Sequence, residues 1–540
     1  MKRLFSILVG ISLIFSFLLA GCSSNPASQG DNTGNQAGGG KYIRYNSTRE
    51  PTSLDPSRGY DQPSYDVVNN FLEGLTRLDK DENPAPAVAK EWKVSPDGKT
   101  YTFYLREEAK WSNGDPVTAD DFVYAWKHML DPETASDAAF LAYPIVGAEE
   151  YNSGKGSADD VGIKALDAKT LEVRLKHPVP WLIGLVANPA FYPIHKATAE
   201  KNPNWYTEAA TILSNGPFKI TEWKHDSEIR LEKNEYYWDK ENVKLDGVIF
   251  KMISDTNTEY QLYQSGELDS SSLPSDMSDQ LFAEGKVKVN DSAGIEFYRL
   301  NTTVPPFNNL NIRKAFNYAI DRQKIVDLVQ KRKQKPAVGF VSYGFKDPAG
   351  GEFRDVGGAL VKYDPVEAKK LLEQGMAELG LKTFPEVTIT YNTSDVNQKN
   401  AEAIQEMLKE NLGVEVKLAG MDRKVLTENQ KNLNYQISRS SWLPDFADPV
   451  NTLEIMVSDN SSNRTGWKNE RFDKLIKDSY LEPDNAKRFA MLHEAEKILM
   501  EELPIIPLYF YNNVYLEKEN VTGVLRPVFG YIDFKYADLK

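Results

Sequence analysis

A single cysteine, Cys22, in a chain of 540 residues constrains the fold more than any motif does. No internal disulfide can hold this molecule together, so packing alone must supply its stability. The cysteine closes the run Leu19-Ala20-Gly21-Cys22, behind an apolar stretch at 4–18 and the basic pair Lys2 and Arg3. That stretch has the length of a secretory signal core and falls short of the roughly 20 residues that span a bilayer. A basic start, an apolar core and a small-residue cleavage site ending in cysteine form a bacterial lipoprotein signal. Residues 1–21 are therefore expected to be removed and Cys22 to be acylated. The segment 23–40 is built of Ser, Asn, Gln, Gly and Asp with almost no large apolar residue. It cannot bury a core and reads as a flexible tether, so 22–40 is expected to precede a fold that begins near Lys41.

The remaining 500 or so residues are enough for two or three domains. The formal charge is −14, and losing Lys2 and Arg3 with no acid makes the mature chain −16. So acidic a body disfavours nucleic acid as a partner, because phosphate binding needs basic stripes. No later stretch approaches 18 uninterrupted apolar residues, which leaves the lipid as the expected anchor to the outer face of the cell membrane.

Alternating apolar residues predict strands at 100–106, 171–175, 229–232 and 387–391. Helical periodicity predicts helices at 311–329, opened by Asn311, and at 366–379, 400–411 and 488–501. A strand at 387–391, a helix from about Asn400 stopped by Gly413 and a strand at 414–418 read as a βαβ crossover. The class is α/β or α+β. Turn signals at Pro96-Asp97-Gly98 and Asn113-Gly114-Asp115-Pro116 divide 85–125 into short pieces. The aromatic run Tyr509-Phe510-Tyr511 predicts that the C-terminal region is packed into the body.

Catalytic signatures are missing: there is no Gly-x-Ser-x-Gly elbow, P-loop, Gly-x-Gly-x-x-Gly or His-Glu-x-x-His. His493-Glu494 lacks the second histidine that zinc needs and reads as a solvated helix face. Asp79-Lys80-Asp81-Glu82-Asn83 starts like a calcium loop, but Pro84 stands where glycine is needed, so it reads as a surface turn. No cofactor and no metal is expected. The segment 439–449 places Arg439, Trp442, Asp445 and Asp448 within ten residues of a strand exit. Two acids and an arginine could be acid and base, or a structural ion pair. A ligand site is favoured, because no nucleophile accompanies them and an aromatic wall beside charges suits a zwitterion.

Longer motifs carry a resemblance. Ala89-Lys90-Glu91-Trp92, Asp97-Gly98 through Arg106, and Lys110-Trp111-Ser112-Asn113-Gly114 through Phe122 are similar to the signature of the peptide-binding proteins of ABC importers, solute-binding protein family 5. Ser53-Leu54-Asp55-Pro56, Glu73-Gly74-Leu75, Ser214-Asn215-Gly216-Pro217-Phe218, Ser265-Gly266-Glu267-Leu268-Asp269 and Ile312-Arg313-Lys314-Ala315 extend it over the mature chain. Thr221 to Asp226 and Gly530 to Phe534 resemble most the dipeptide and oligopeptide lipoproteins of Gram-positive bacteria, the OppA and DppE type.

That resemblance implies an α/β, two-lobed periplasmic-binding-protein-like fold of class II, with an extra subdomain on lobe I and a hinge between lobes. Lobe I is expected at 41–72, 196–293 and 513–540, the subdomain at 73–195 and lobe II at 294–512. It further implies a non-enzymatic, monomeric receptor that closes on short peptides and hands them to ABC permease subunits. By position in the motif, Asp445 matches the carboxylate that pairs with a peptide α-ammonium. Trp442 and the backbone of Ser441 and Leu443 match the strand along which the ligand lies, and Arg439 an arginine that can take a carboxylate. Tyr511, Gln62, Phe297 and Tyr298 fall at or near ligand-facing positions.

Three positions depart from the family pattern. Arg423 stands where a pocket tryptophan is usual, Asn397 replaces a histidine and Arg299 replaces a cleft glutamate. Arg299 is expected either to pair with an acid of the protein or to hold an extra ligand carboxylate, as on a murein tripeptide. Receptors for murein tripeptide, a nickel chelate or a sugar, and a cell-wall peptidase, stay open as alternatives, since one fold serves many ligands.

Overall fold

The computed structural model describes residues 40–540, so Cys22, the signal at 1–21 and the tether up to residue 39 lie outside the described residues. Three sheets carry the architecture. Strands Tyr42–Asn46, Gly247–Lys251, Glu228–Lys233 and Phe218–Lys224 form the first, in that order, with only the first pair parallel. An antiparallel sheet joins Ala89–Val94, Thr100–Leu105, Thr170–Arg174 and Ile163–Asp167. The largest runs Ser270–Ser272, Ile505–Glu517, Lys288–Leu300, Ile437–Trp442, Val387–Asn392 and Val416–Met421, with Lys335–Pro336 added on the Ile505–Glu517 strand.

Hydrophobic burial groups the first two sheets together and sets the largest apart. One cluster draws on 43–250 and 521–539, two others cover the two faces of the largest sheet, and a small one joins Tyr260, Leu273, Leu281 and Leu516. The two strands Lys288–Leu300 and Ile505–Glu517, 13 residues each, pass from one region to the other. Residues 505–510 of the second are buried throughout, because helices cover both faces of the sheet there, while most of its outer half is partly exposed. The pairing of these strands breaks register between Asp291 and Ile295. Gly294 sits in that break, and a Cβ there would come within 2.3 Å of the Tyr511 ring. A side chain would force the crossing strands apart.

The strands found at Thr100–Leu105, Thr170–Arg174, Glu228–Lys233 and Val387–Asn392 match the alternation seen in the sequence. Three other expectations need correction. The segment 311–329 is not one helix: Asn309, not Asn311, caps Leu310–Tyr318, and the chain breaks at Ala319. Asp321 then caps the short Arg322–Lys324 turn, which runs into a π-helix at Ile325–Gln330. The side chain of Asp321 accepts from the Lys324 amide, and Arg322 donates to the Pro507, Asn317 and Ile320 carbonyls, so local polar bonds outcompete a continuous helix. The βαβ unit is present and parallel, but its helix spans Asp395–Leu412 from a Ser394 cap and its second strand lies later, at Val416–Met421. His493 is not on a solvated face; its ring stacks on Phe353 at 3.9 Å and its Nε2 lies 2.8 Å from Asp347.

The remaining pieces follow the sequence closely. Asp79 accepts from the Asp81 and Asn83 amides and closes a tight exposed turn. Ile532, Phe534 and Ala537 are buried, which fixes the C-terminal region in the body. Among the described residues no helix is long and apolar enough to cross a membrane.

Candidate functional site

The Ile437–Trp442 strand pairs with Lys288–Leu300, setting Trp442 opposite Ile295, Ser441 opposite Glu296 and Arg439 opposite Tyr298. The chain then leaves the sheet at Leu443, which is 60% exposed. Asp445, past the sheet, is half-buried, and its amide donates to Asn451 Oδ1 at 3.0 Å. One carboxylate oxygen accepts from the Tyr60 hydroxyl at 2.9 Å. Burial raises the pKa of this acid, and the Tyr60 bond only partly offsets it. Among the described residues no cation pairs with it.

Tyr60 was not singled out in the sequence. It owes its position to a helix start: Asp61 accepts from the Ser64 amide at 2.8 Å, Pro63 occupies the first turn, and Gln62–Phe71 follows. Tyr60, Gln62, Leu443 and Asp445 line one cavity of about 1290 Å3 with Asp66, Glu259, Ser292, Arg332, Asn512 and Arg526. Gln62 donates to Asp66 at 2.9 Å. A second cavity of about 810 Å3 meets the first at Asp445 and 527–531, and is walled by Trp181, Phe446 and Arg488. There the rings of Trp181 and Phe446 stack with centroids 5.3 Å apart, while Arg488 grips Asp448 at 2.6 and 2.8 Å.

Arg439 departs from its expected role. Its Nε and Nη2 donate to the two oxygens of Glu296 at 2.6 and 2.5 Å, and Tyr511 donates to the same carboxylate at 2.6 Å. Burial pushes Glu296 up, against the pull of Arg439. The charge of Arg439 is thus already matched, the structural ion pair foreseen as an alternative, with Glu296 as an acid outside the motif.

Other sequence expectations divide. Trp442 packs half-buried beside the Phe297 core, its indole Nε1 buried without a partner. Phe297 and Tyr298 are fully buried on opposite faces of the sheet, so their side chains are core groups and not cleft groups. Arg299 fills neither of its two expected roles: among the described residues no acid pairs with it, it lines neither cavity, and it is buried, donating to Ser440 Oγ at 3.1 Å and the Ser462 carbonyl at 2.9 Å. Burial brings its pKa down to about 10. Asn397 is spent on the start of its helix, donating to the Asn392 carbonyl at 2.9 Å. Arg423 is exposed at a helix start and lines neither cavity.

Residues 83–464 match the model of the bacterial extracellular solute-binding proteins, family 5. The chain is 50% identical to the dipeptide-binding protein DppE of Bacillus subtilis, over 98% of both chains. The unliganded open form of the periplasmic murein tripeptide binding protein MppA superimposes with a TM-score of 0.82 at 32% identity, covering 93% of this chain and 97% of that one. The Listeria monocytogenes OppA bound to peptide gives 0.70 at 34% identity, over 93% and 99%.

Proposed function

The chain belongs to the family 5 bacterial extracellular solute-binding proteins, and from that membership we propose that it is the extracytoplasmic receptor of a peptide ABC importer. It captures short peptides between two lobes and delivers them to the permease subunits. The observation that carries this reading is the end-to-end match to a dipeptide-binding protein, 50% identical over 98% of both chains. The cavity chemistry supports it: a carboxylate without a cation, Asp445, faces a space large enough for a short peptide.

In this reading Asp445 takes the peptide α-ammonium, and the edge left unpaired at Ser441 and Trp442, continued by Leu443, offers main-chain bonds to an extended ligand. Gln62 and Tyr511 flank that path. Lobe I comprises 41–72, 196–293 and 513–540, the subdomain 73–195 and lobe II 294–512; the hydrophobic clusters support the separation of lobe II, while lobe I and its subdomain share one cluster. The receptor works as a monomer, catalyses nothing, and is held at the outer face of the membrane by acylated Cys22. Replacing Cys22 with Ser should release it into the medium with peptide binding intact.

Calorimetry with alanine peptides of two to five residues tests the central claim. Saturable one-site binding, with the peptide recovered intact by mass spectrometry, is expected. Turnover, or failure to bind any peptide of the series, would overturn the receptor reading.

A further inference from the structure

A peptide has two charged ends, and the site described so far receives only one. Asp445 suits the ammonium, but Arg439, the arginine that the family pattern offers for a carboxylate, is committed to Glu296 by two bonds. The cavity itself is acidic: Asp61, Asp66, Glu259, Asp276 and Asp445 line it. A ligand carboxylate is repelled over most of that wall. Two cations interrupt it, Arg332 and Arg526.

They differ in what they already hold. Arg526 shares Glu517, 3.2 Å away, with Lys288 and is stacked over the Tyr515 ring at 4.1 Å, so it already has an acid beside it and its plane is covered. Arg332 has no carboxylate within ion-pair distance among the described residues. Its one side-chain hydrogen bond is a long one, 3.4 Å to Ser275 Oγ. Of the neighbouring lysines, Lys331 lies near Asp279 at 3.8 Å and Lys335 on Asp291 at 2.7 Å, while Lys333 lies over the Phe282 ring and lines neither cavity.

The backbone around Arg332 is fixed. Lys331 and Lys333 on either side take positive φ, 56° and 62°, which side chains adopt at a cost. Between them the Arg332 carbonyl accepts from Asn512 Nδ2 at 2.6 Å. Asn512 belongs to the crossing strand Ile505–Glu517, so the arginine is tied to the junction between lobes. A planar fork of donors, half-buried, without an acid and held at the cavity wall, is suited to a carboxylate.

We propose that Arg332 is the carboxylate anchor of the ligand cleft, complementing Asp445 at the ammonium end. This rests on the peptide-receptor reading and adds a specificity element to it. The carboxylate is either the peptide C terminus or an acidic side chain, and the two sources are separable.

Calorimetry on the full chain would use alanine peptides of two to five residues as free acids and as C-terminal amides, with Ala-Glu-Ala amide against Ala-Ala-Ala amide. In the wild type, amidation should weaken binding about 10- to 100-fold at the length that reaches Arg332. If a side-chain carboxylate is the partner, only the Ala-Glu-Ala amide should gain. Arg332→Gln should remove whichever preference appears, while Arg332→Lys should retain part of it, which a mere folding role would not produce. Equal binding of acids, amides and the Glu peptide by the wild type, or an unchanged preference in Arg332→Gln, would overturn the assignment with the receptor reading intact. Failure of the wild type to bind any of these peptides would overturn both.

Discussion

Arg439 and Asp445 are six residues apart in one segment, yet the fold treats their charges in opposite ways. Arg439 lies within the sheet, where Glu296 and Tyr511 close its hydrogen-bonding needs. Asp445 lies past the sheet edge with a neutral hydroxyl as its side-chain partner. A charge removed from water is stable when paired and costly when alone. The paired one is part of the scaffold, and the lone one is free for the ammonium that the proposed function assigns to it. Spacing along a motif shows neither, since Glu296 is 143 residues from Arg439.

Breaking each member should separate the two roles. Glu296→Ala leaves a largely buried guanidinium without its acid, and a stability loss of about 3–5 kcal/mol in urea unfolding is expected. Asp445→Asn should change stability by less than about 1 kcal/mol, since the native state already penalises the ionised form. It should instead weaken binding of a free-amine peptide by about 2–5 kcal/mol in calorimetry. If Asp445→Asn unfolds the protein and Glu296→Ala does not, the assignment of scaffold and site is reversed.

What the sequence could reveal followed the range of the interactions. Strands such as Thr100–Leu105 and Val387–Asn392 were legible because alternation is local. The break after Tyr318 was not, because apolar periodicity continues through it while Asp321 accepts from the Lys324 amide and Arg322 donates to the distant Pro507 carbonyl. Asp445 could be picked out through its motif, whereas the partners of Arg299 could not: in place of an acid or a ligand carboxylate it holds a serine hydroxyl and a carbonyl oxygen. Tyr60 carried a faint signal, as the residue in front of an Asp-Gln-Pro helix start.

A third acid sharpens the comparison through pH. Glu454, close to Asp445 and Asp448, accepts from Tyr480 at 2.5 Å and from Asn451 at 3.3 Å. Burial pushes its carboxyl up to about 7, and the two nearby aspartates push the same way. A carboxyl raised by folding adds stability while it stays protonated, below its unfolded value near 4.3, and loses that stability as pH rises through about 7. Unfolding free energy should therefore fall by roughly 3 kcal/mol between pH 4 and 8 in the wild type relative to Glu454→Gln. Parallel pH profiles for the two proteins would show that Glu454 is not held protonated.

The smallest change tests whether the neutral partner of Asp445 matters. Tyr60 donates to one carboxylate oxygen, which steadies the ionised form and leaves the other oxygen for an ammonium. Tyr60→Phe removes that donor and keeps the ring, at a cost in stability of about 0.5–1.5 kcal/mol. Because the bond lowers the pKa of Asp445 against burial, its loss should shift the acidic limb of peptide binding to higher pH, with a several-fold loss of affinity near that limb. At a pH well above the limb the loss should shrink, since Asp445 is then ionised in both proteins. An affinity loss in Tyr60→Phe that is the same at every pH would mean that the hydroxyl meets the ligand directly and does not act through Asp445.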